Sequence, residues 1–351
     1  MNTGFFKKAL IGSVCMAALA TGSNALAEVK LNGSGASFPF PIYSKWFKDF
    51  SKATDGVRID YQAKGSGAGI QDFINETVDF AASDAAMKED EMAQVKRGSI
   101  LLPMTAGEVV LAYNLKGVDE LKLPRDVYPE IFTGKITKWN DPKIAAANPG
   151  AKLPDEKITV VVRSDSSGTT YVFTGHLAKI SGDFASAIGQ GKAPQWPKSN
   201  NFVKAPKNDG ITATIKQTPG AIGYIEYGYA KLTKTKTAML ENKAGKFIAP
   251  GAESGAAALA SAEFPEGNLP GSDVPNLIAW VSDPAGEDAY PIASFTWLLL
   301  YKNQDDAKAE ALRKFVEYSL TEGQKISDKM GYIPLPENVV AKVRGALTHL
   351  D

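Results

Sequence analysis

The chain has one cysteine, Cys15, and two histidines, His176 and His349, among its 351 residues. With so few thiol and imidazole groups, no spacing reads as a structural or catalytic metal site, and no disulfide can close within the chain. An excess of one charge is also missing: 39 Lys and Arg stand against 39 Asp and Glu, which argues against nucleic acid as a partner. No apolar run is long enough to span a bilayer as a helix. There is no G-x-x-x-x-G-K-[ST], so that type of triphosphate-binding loop is absent. No period of roughly 20–50 residues repeats, which argues against a solenoid or propeller.

What is present begins with the three parts of a secretory signal. Lys7 and Lys8 form its basic region, residues 9–20 its short apolar run, and Ala25-Leu-Ala27 a small-residue cleavage site. Gly12-Ser-Val14, before Cys15, does not look like a lipoprotein processing site. Cleavage after Ala27 would remove the cysteine and leave an exported chain without disulfides. Such a chain must rest on its hydrophobic core, which this length can supply.

One pattern then appears three times: a short strand, a loop of Gly and Ser, and a helix. A strand over residues 29–32 leads through Gly33-Ser-Gly-Ala-Ser-Phe-Pro-Phe-Pro41 into a helix. There Ile42, Tyr43, Trp46, Phe47 and Phe50 fall three and four apart, and Pro39 or Pro41 suits the first turn. A second strand, residues 57–61, leads through Gly65-Ser-Gly-Ala-Gly69 to a helix with Ile70, Phe73, Ile74 and Val78 inward. A further strand, 79–84, ends in Ser83-Asp84. In the third instance a buried strand over 158–162 ends at Arg163, and Ser164-Asp-Ser-Ser-Gly168 opens a helix expected from Thr169 or Thr170. Each instance sets a helix N-terminus at the carboxyl end of a strand. Unpaired N–H groups and the positive end of the helix dipole favour an anion there. Arg163 adds a planar fork of donors suited to a tetrahedral oxyanion. Taken alone, that last stretch also reads as a capped helix with a nearby Arg.

Length suggests two domains, and two apolar extended runs, 100–114 and 288–301, are long enough to cross between them. Elsewhere the patterns predict two short helices in 124–147 broken at Gly134, a helix from Asn208 capped by Asp209, and a strand over 221–225. A lysine-rich surface hairpin over 231–247, a weak helix near 256–262 and three C-terminal helices complete the chain. His176 lies two helical turns, roughly 10 Å, beyond Thr169. It is therefore poorly placed to serve Ser167 as a base, and reads as a solvated helix residue. Ser and Gly without a general base, metal or Lys suit binding better than turnover.

Gly33-Ser-Gly-Ala-Ser-Phe-Pro39, Gly65-Ser-Gly67, Asp79-Phe-Ala-Ala-Ser-Asp84, Arg163-Ser-Asp-Ser-Ser-Gly-Thr169, Asn208-Asp-Gly210 and Pro219-Gly-Ala-Ile-Gly-Tyr224 together resemble the periplasmic phosphate-binding proteins of bacterial ABC phosphate importers. The match runs in order over nearly the whole exported chain, and is weakest over 186–205 and 231–275. It implies an α/β, two-lobed class II periplasmic-binding-protein fold with two crossing hinge segments. Lobe I would comprise residues 28–105 and 286–351, and lobe II residues 106–285. It implies a monomer that closes over inorganic phosphate and delivers it to the ABC phosphate permease complex in the inner membrane. Neither an enzymatic activity nor a cofactor or metal is implied.

The phosphate ligands implied by the resemblance are Ser37, the backbone N–H of Phe38, Ser66, Asp84, Arg163, Ser167, Gly168 and Thr169. Asp165 would hold Arg163 in place. Ser37 stands where the family often has Thr, and Ser166 where it often has Gly; both keep a small polar group. Asp84 should repel an anion unless that anion brings a proton, as phosphate does near neutral pH and sulfate does not; a turn cap is its other reading. A secreted phosphomonoesterase on the same lobes, or a binding protein for another tetrahedral oxyanion, are the alternative functions.

Overall fold

The computed structural model describes residues 28–351, so the signal read in residues 1–27 lies outside the described residues. The first strand–loop–helix repeats become β1 (Val29–Gly35), α1 (Phe40–Ala53), β2 (Val57–Ala63), α2 (Ser66–Ile74) and β3 (Phe80–Ser83). β1 lies between β2 and β3 and runs parallel to both. α1 buries Ile42, Tyr43, Trp46, Phe47 and Phe50, the set spaced by three and four in the sequence. Pro41 sits in its first turn, where a missing N–H costs nothing. α2 buries Ile70 and Phe73, whereas Val78, expected on the same face, falls beyond its end.

The long apolar run forms β4 (Ser99–Tyr113), buried throughout. After the two short helices Val127–Thr133 and Pro142–Ala147, a second unit follows. It consists of β5 (Thr159–Arg163), α3 (Gly168–Ile180), β6 (Phe202–Ala205), α4 (Lys207–Gln217) and β7 (Ala221–Glu226). β5 lies between β6 and β7, parallel to both. The chain then makes the expected surface hairpin, with Met239–Glu241 antiparallel to Phe247–Ile248, and returns through β8 (Ala293–Tyr301). Among the described residues one nine-stranded sheet runs β2-β1-β3-β8-β4-β7-β5-β6, with the short strand Lys236–Thr237 paired to β4.

β4 and β8 join the two units. β4 pairs with β8 over residues 99–108 and with β7 over 109–113, both antiparallel. Two separate cores sit on either side of that changeover. Leu31 through Ala106 and Ala293 through Leu350 supply the first; Val109 through Leu240, with Tyr290 and Ile292, supply the second. The backbone between them, near Gly107–Glu108 and 290–293, is therefore the crossing. The segment from Ala258 to Ala289 packs with the first core, although the lobe boundaries read from the sequence place residues up to 285 with the second. Helix Ala252–Leu259 accounts for part of this, because its Gly255 sits against the Ile333 side chain.

The β4–β8 ladder shifts register once, between Thr296 and Trp297, opposite Thr105 and Pro103. A proline has no N–H to give a central ladder, and a bulge absorbs it. The shift lies beside Thr296, a residue of the site.

Candidate functional site

The carboxyl ends of β1, β2, β3, β5 and β6 converge on one cleft between the two units, the place where α/β sheets bind ligands. Arg163, the last residue of β5, is 5% exposed in all. Its backbone N–H donates to Tyr224 Oη at 3.1 Å, and Tyr224 Oη in turn bonds Thr170 Oγ1 at 2.8 Å. The guanidinium gives Nε and Nη2 to the two oxygens of Asp165, at 2.7 and 2.5 Å. Its other edge faces Thr169 Oγ1, 3.5 Å from Nη1. Asp165 also accepts the Lys207 N–H at 2.9 Å. Burial pushes this carboxyl up, but Arg163 and the Lys207 N–H outweigh burial and hold it below the usual carboxylate range. The side-on fork thus fixes the guanidinium and leaves its remaining N–H groups toward the cleft.

α3 begins at Gly168, one or two residues earlier than the sequence reading, because Ser167 caps it. Ser167 Oγ accepts the Thr170 N–H at 3.0 Å, and its own N–H donates to Lys192 O at 2.8 Å. The first-turn N–H groups of Gly168 and Thr169 have no carbonyl partner within a helix. On the facing unit, Ser66 opens α2 and is fully buried. Phe38 is fully buried as well, and its ring packs into the second core although its loop belongs to β1. Tyr332 Oη donates to Phe38 O at 2.7 Å, and Tyr229 Oη to Ser37 O at 2.5 Å, so the loop that presents Ser37 Oγ and the Phe38 N–H is clamped by both carbonyls.

Asp84 follows β3 and is 1% exposed. Its N–H donates to Ser66 Oγ at 3.3 Å, and its Oδ1 accepts from Thr296 Oγ1 at 3.1 Å. Burial pushes its carboxyl up to about 7, against the pull of Thr296, Arg163, Ser66 and Thr169. Its side chain caps nothing: it points across the cleft, where a Cβ on Gly168 would meet both Asp84 Oδ2 and Ser66 Oγ. Gly168 is therefore one point of close approach between the units. Gly65, at φ +97°, has a similar part, since a Cβ there would lie 2.5 Å from Asp165 Oδ2.

All eight residues read as ligands, with Asp165, thus line one cleft. Sequence reasoning missed the roles of their supports: Tyr229, Thr296 and Tyr332 carry no local signal, and Asn208 and Tyr224 fall within quoted motifs without being assigned a part in the site. Asp209, expected to cap α4, does not; Pro206 occupies the cap position without a side-chain bond. Lys207, with φ of +57°, precedes Asn208, which is fully buried and bonds inward. His176 also differs from expectation. It is buried rather than solvated, with Nε2 2.8 Å from Tyr128 Oη, and burial lowers its pKa to about 3. Among the described residues no group of three or more His, Cys, Asp or Glu is placed to hold a metal ion.

A family model described as a PBP superfamily domain matches residues 20–322. The phosphate-binding protein PstS of Pasteurella multocida is 38% identical over 317 residues, covering 90% of this chain and 88% of its own. Its namesake in Methanocaldococcus jannaschii is 38% identical over 321 residues, 87% of this chain and 82% of its own. The chain belongs to the phosphate-binding protein PstS family. Its two-lobed class II periplasmic-binding-protein fold recurs in a phosphate-binding protein from Stenotrophomonas maltophilia. There the TM-score is 0.70 at 22% identity, over 91% of this chain and 94% of that one. A putative phosphate ABC transporter substrate-binding protein from Clostridium perfringens, with bound phosphate, shares the fold at a TM-score of 0.62 and 17% identity, over 88% of this chain and all of that one. Members of this family are named as binding proteins, which agrees with a cleft built from donors.

Proposed function

We propose that this protein binds inorganic phosphate in the periplasm and delivers it to an ABC-type phosphate permease in the inner membrane, acting as a monomer and without turnover. The ligands are Ser37, the Phe38 N–H, Ser66, Asp84, Arg163, Ser167, Gly168 and Thr169, with Asp165 aligning Arg163. One observation carries the reading: a buried guanidinium, helix-terminal N–H groups and several hydroxyls surround a single buried carboxylate. A site for any anion needs the donors. Only an anion that brings a proton also needs the acid. Four or five charge-assisted bonds at ~1.5–3 kcal/mol each reach micromolar affinity, about −8 kcal/mol, after sizeable ordering costs.

Several features support the rest of the proposal. His176 is engaged by Tyr128, which takes the one nearby imidazole away from Ser167 and disfavours a hydrolase. Among the described residues no helix is long and apolar enough to cross a membrane, and the family is one of periplasmic transporters' binding proteins by resemblance. The large apolar side chains that reach solvent, Phe40, Val203, Leu232 and Trp280, come from four separate segments, which favours a monomer. The division of the cores supports lobe I as residues 28–106, about 252–289 and 293–351, and lobe II as about 107–251 with 290–292. Calorimetry of the exported, phosphate-stripped protein should give tight binding of phosphate and arsenate and none of sulfate at pH 8. Equal binding of sulfate, or no heat with phosphate, would overturn the reading.

A further inference from the structure

Asn208 touches both sides of the cleft without being one of the phosphate ligands assigned above. It is fully buried at the start of α4. Its Oδ1 accepts the Glu226 N–H at 2.9 Å, which fixes which end of the amide is which, because a backbone N–H needs an acceptor. Nδ2 then donates in two directions, to Ser37 Oγ at 3.0 Å and to Thr169 Oγ1 at 3.1 Å. The Asn208 backbone N–H also donates to Ser37 Oγ, at 3.1 Å. Ser37 Oγ thereby accepts two bonds, and a hydroxyl oxygen has two acceptor positions. Thr169 Oγ1 accepts from Asn208 and faces Arg163 Nη1 at 3.5 Å. Neither hydroxyl has a use for its hydrogen on the Asn208 side.

We propose that Asn208 is a positioning residue that fills both acceptor positions of Ser37 and, together with Arg163, those of Thr169, and so turns both hydroxyl hydrogens into the cleft. A free hydroxyl rotates to suit its neighbours and can accept as readily as donate. With Asn208 behind both and Arg163 beside Thr169, these two can only donate. The cleft thereby gains a fixed polarity: hydroxyls that could welcome a ligand's donor groups are set to reject them, and Asp84 remains the one side chain there that accepts a proton. Because Ser37 and Thr169 come from different lobes, the same amide also completes the arrangement only when the lobes are together. This inference rests on the phosphate-binding reading and names the group that makes two of its hydroxyls donors.

Asn208→Asp reverses the polarity, since a carboxylate accepts where Nδ2 donated and would draw both hydroxyl hydrogens away from the anion. Calorimetry with inorganic phosphate at pH 8 should show about tenfold weaker binding for Asn208→Ala and about a hundredfold or more for Asn208→Asp. Combining Asn208→Ala with Ser37→Ala should give a loss well short of the product of the two single losses, because the amide acts through that hydroxyl. A merely structural role would give independent losses and would shift thermal melting of the phosphate-free variants by as much as binding. Neutron diffraction from the wild-type phosphate complex keeps the test open if the variants do not fold. The hydrogens of Ser37 and Thr169 should point away from Asn208, and those of Nδ2 toward the two oxygens. Either hydroxyl hydrogen directed at Asn208, independent losses in the cycle, or Asn208→Asp binding within about threefold of wild type overturns the proposal. If the wild type itself shows no heat with phosphate, the functional reading falls, and this inference with it. If the wild type binds and the variants bind equally well, only the role of Asn208 falls.

Discussion

Asp84 and Asp165 share one cleft, yet burial decides the proton of the first and Arg163 that of the second. Asp165 receives two guanidinium N–H groups and a backbone N–H; Asp84 meets neutral hydroxyls, Thr296 foremost, and holds its proton up to about pH 7. Above that pH Asp84 is an acceptor and sulfate faces an unpaired charge. Below it Asp84 carries a proton and can donate to sulfate. Sulfate should therefore compete with phosphate better at pH 5.5 than at pH 8 in the wild type. In Asp84→Asn, which cannot ionise, competition should be strong and flat with pH. Titrations showing unchanged sulfate exclusion in the variant would remove this role from Asp84. The same shift bears on stability. The folded-state value lies above the unfolded one, near 3.9, so the folded state holds the extra proton between about pH 4 and pH 7. The contribution is full below that window and is lost as pH rises through it. Glu108, pushed up to about 8 by burial, and Glu226, raised well above the usual carboxylate range, add to the same trend. Asp84 makes this contribution in the closed protein. In the phosphate-free protein, whose lobes stand open, denaturant unfolding should show lower stability at pH 8 than at pH 5 through Glu108 and Glu226, with a drop little changed in Asp84→Asn. Arg163→Ala should weaken phosphate binding at least tenfold, because it removes the main positive charge of the site and leaves Asp165 buried without its partner. Near-wild-type calorimetry would place the site elsewhere.

α3 is the element whose first turn faces the proposed anion site, and its first residue has no side chain for a geometric reason. A methyl at position 168 would run into Asp84 Oδ2 and Ser66 Oγ, so Gly168→Ala should hold the lobes apart while leaving the helix intact, alanine being a better helix former than glycine. Phosphate affinity should fall at least tenfold with melting of the phosphate-free protein unchanged or raised; undiminished affinity would mean the lobes do not meet at Gly168. Elements of this kind are legible in a sequence because their signals are local. The apolar spacing of α1, the small-residue loops after β1, β2 and β5, and Arg163 at a strand end are all readable within a dozen residues. What escaped depends on distant partners. Asn208 looks like one polar residue beside a better cap candidate, Asp209, until Ser37 is brought to it from 171 positions away. His176 looks solvated until Tyr128, 48 residues earlier, covers it. The small-residue segment near Ala258 carries too weak a periodicity to say which of two cores it joins.

At the scale of the molecule, closure sets direct bonds between the lobes against polar groups taken out of water. Across the cleft and its rim, Gly67 N–H donates to Ser166 O at 3.0 Å, Asn208 bonds Ser37, Tyr229 Oη donates to Ser37 O at 2.5 Å, Lys231 Nζ to Asp328 O at 2.6 Å, and Lys192 Nζ reaches Glu91 Oε1 at 2.8 Å. The last pair is partly exposed, with side chains at 19% and 16%, and such a pair is worth about 1 kcal/mol or less. Against these few bonds stand the hydroxyls, helix-terminal N–H groups and guanidinium edge that closure takes out of water. Each one left without a partner costs about 1–3 kcal/mol, and the charged guanidinium more. Closure is thus unfavourable without an anion and favourable with one, so phosphate should shift the population from open to closed. The motion has a place to occur. The cores separate at Gly107–Glu108 and 290–293, where the chain crosses between the lobes, and a two-stranded ribbon bends with small changes in φ and ψ. Small-angle scattering of the phosphate-stripped protein should show a larger radius of gyration than the structure described here, with compaction on adding phosphate. Gly168→Ala should stay expanded at phosphate concentrations that compact the wild type. A radius that does not respond to phosphate would show that the lobes close on their own, and that the cleft's donors are satisfied by something other than the anion.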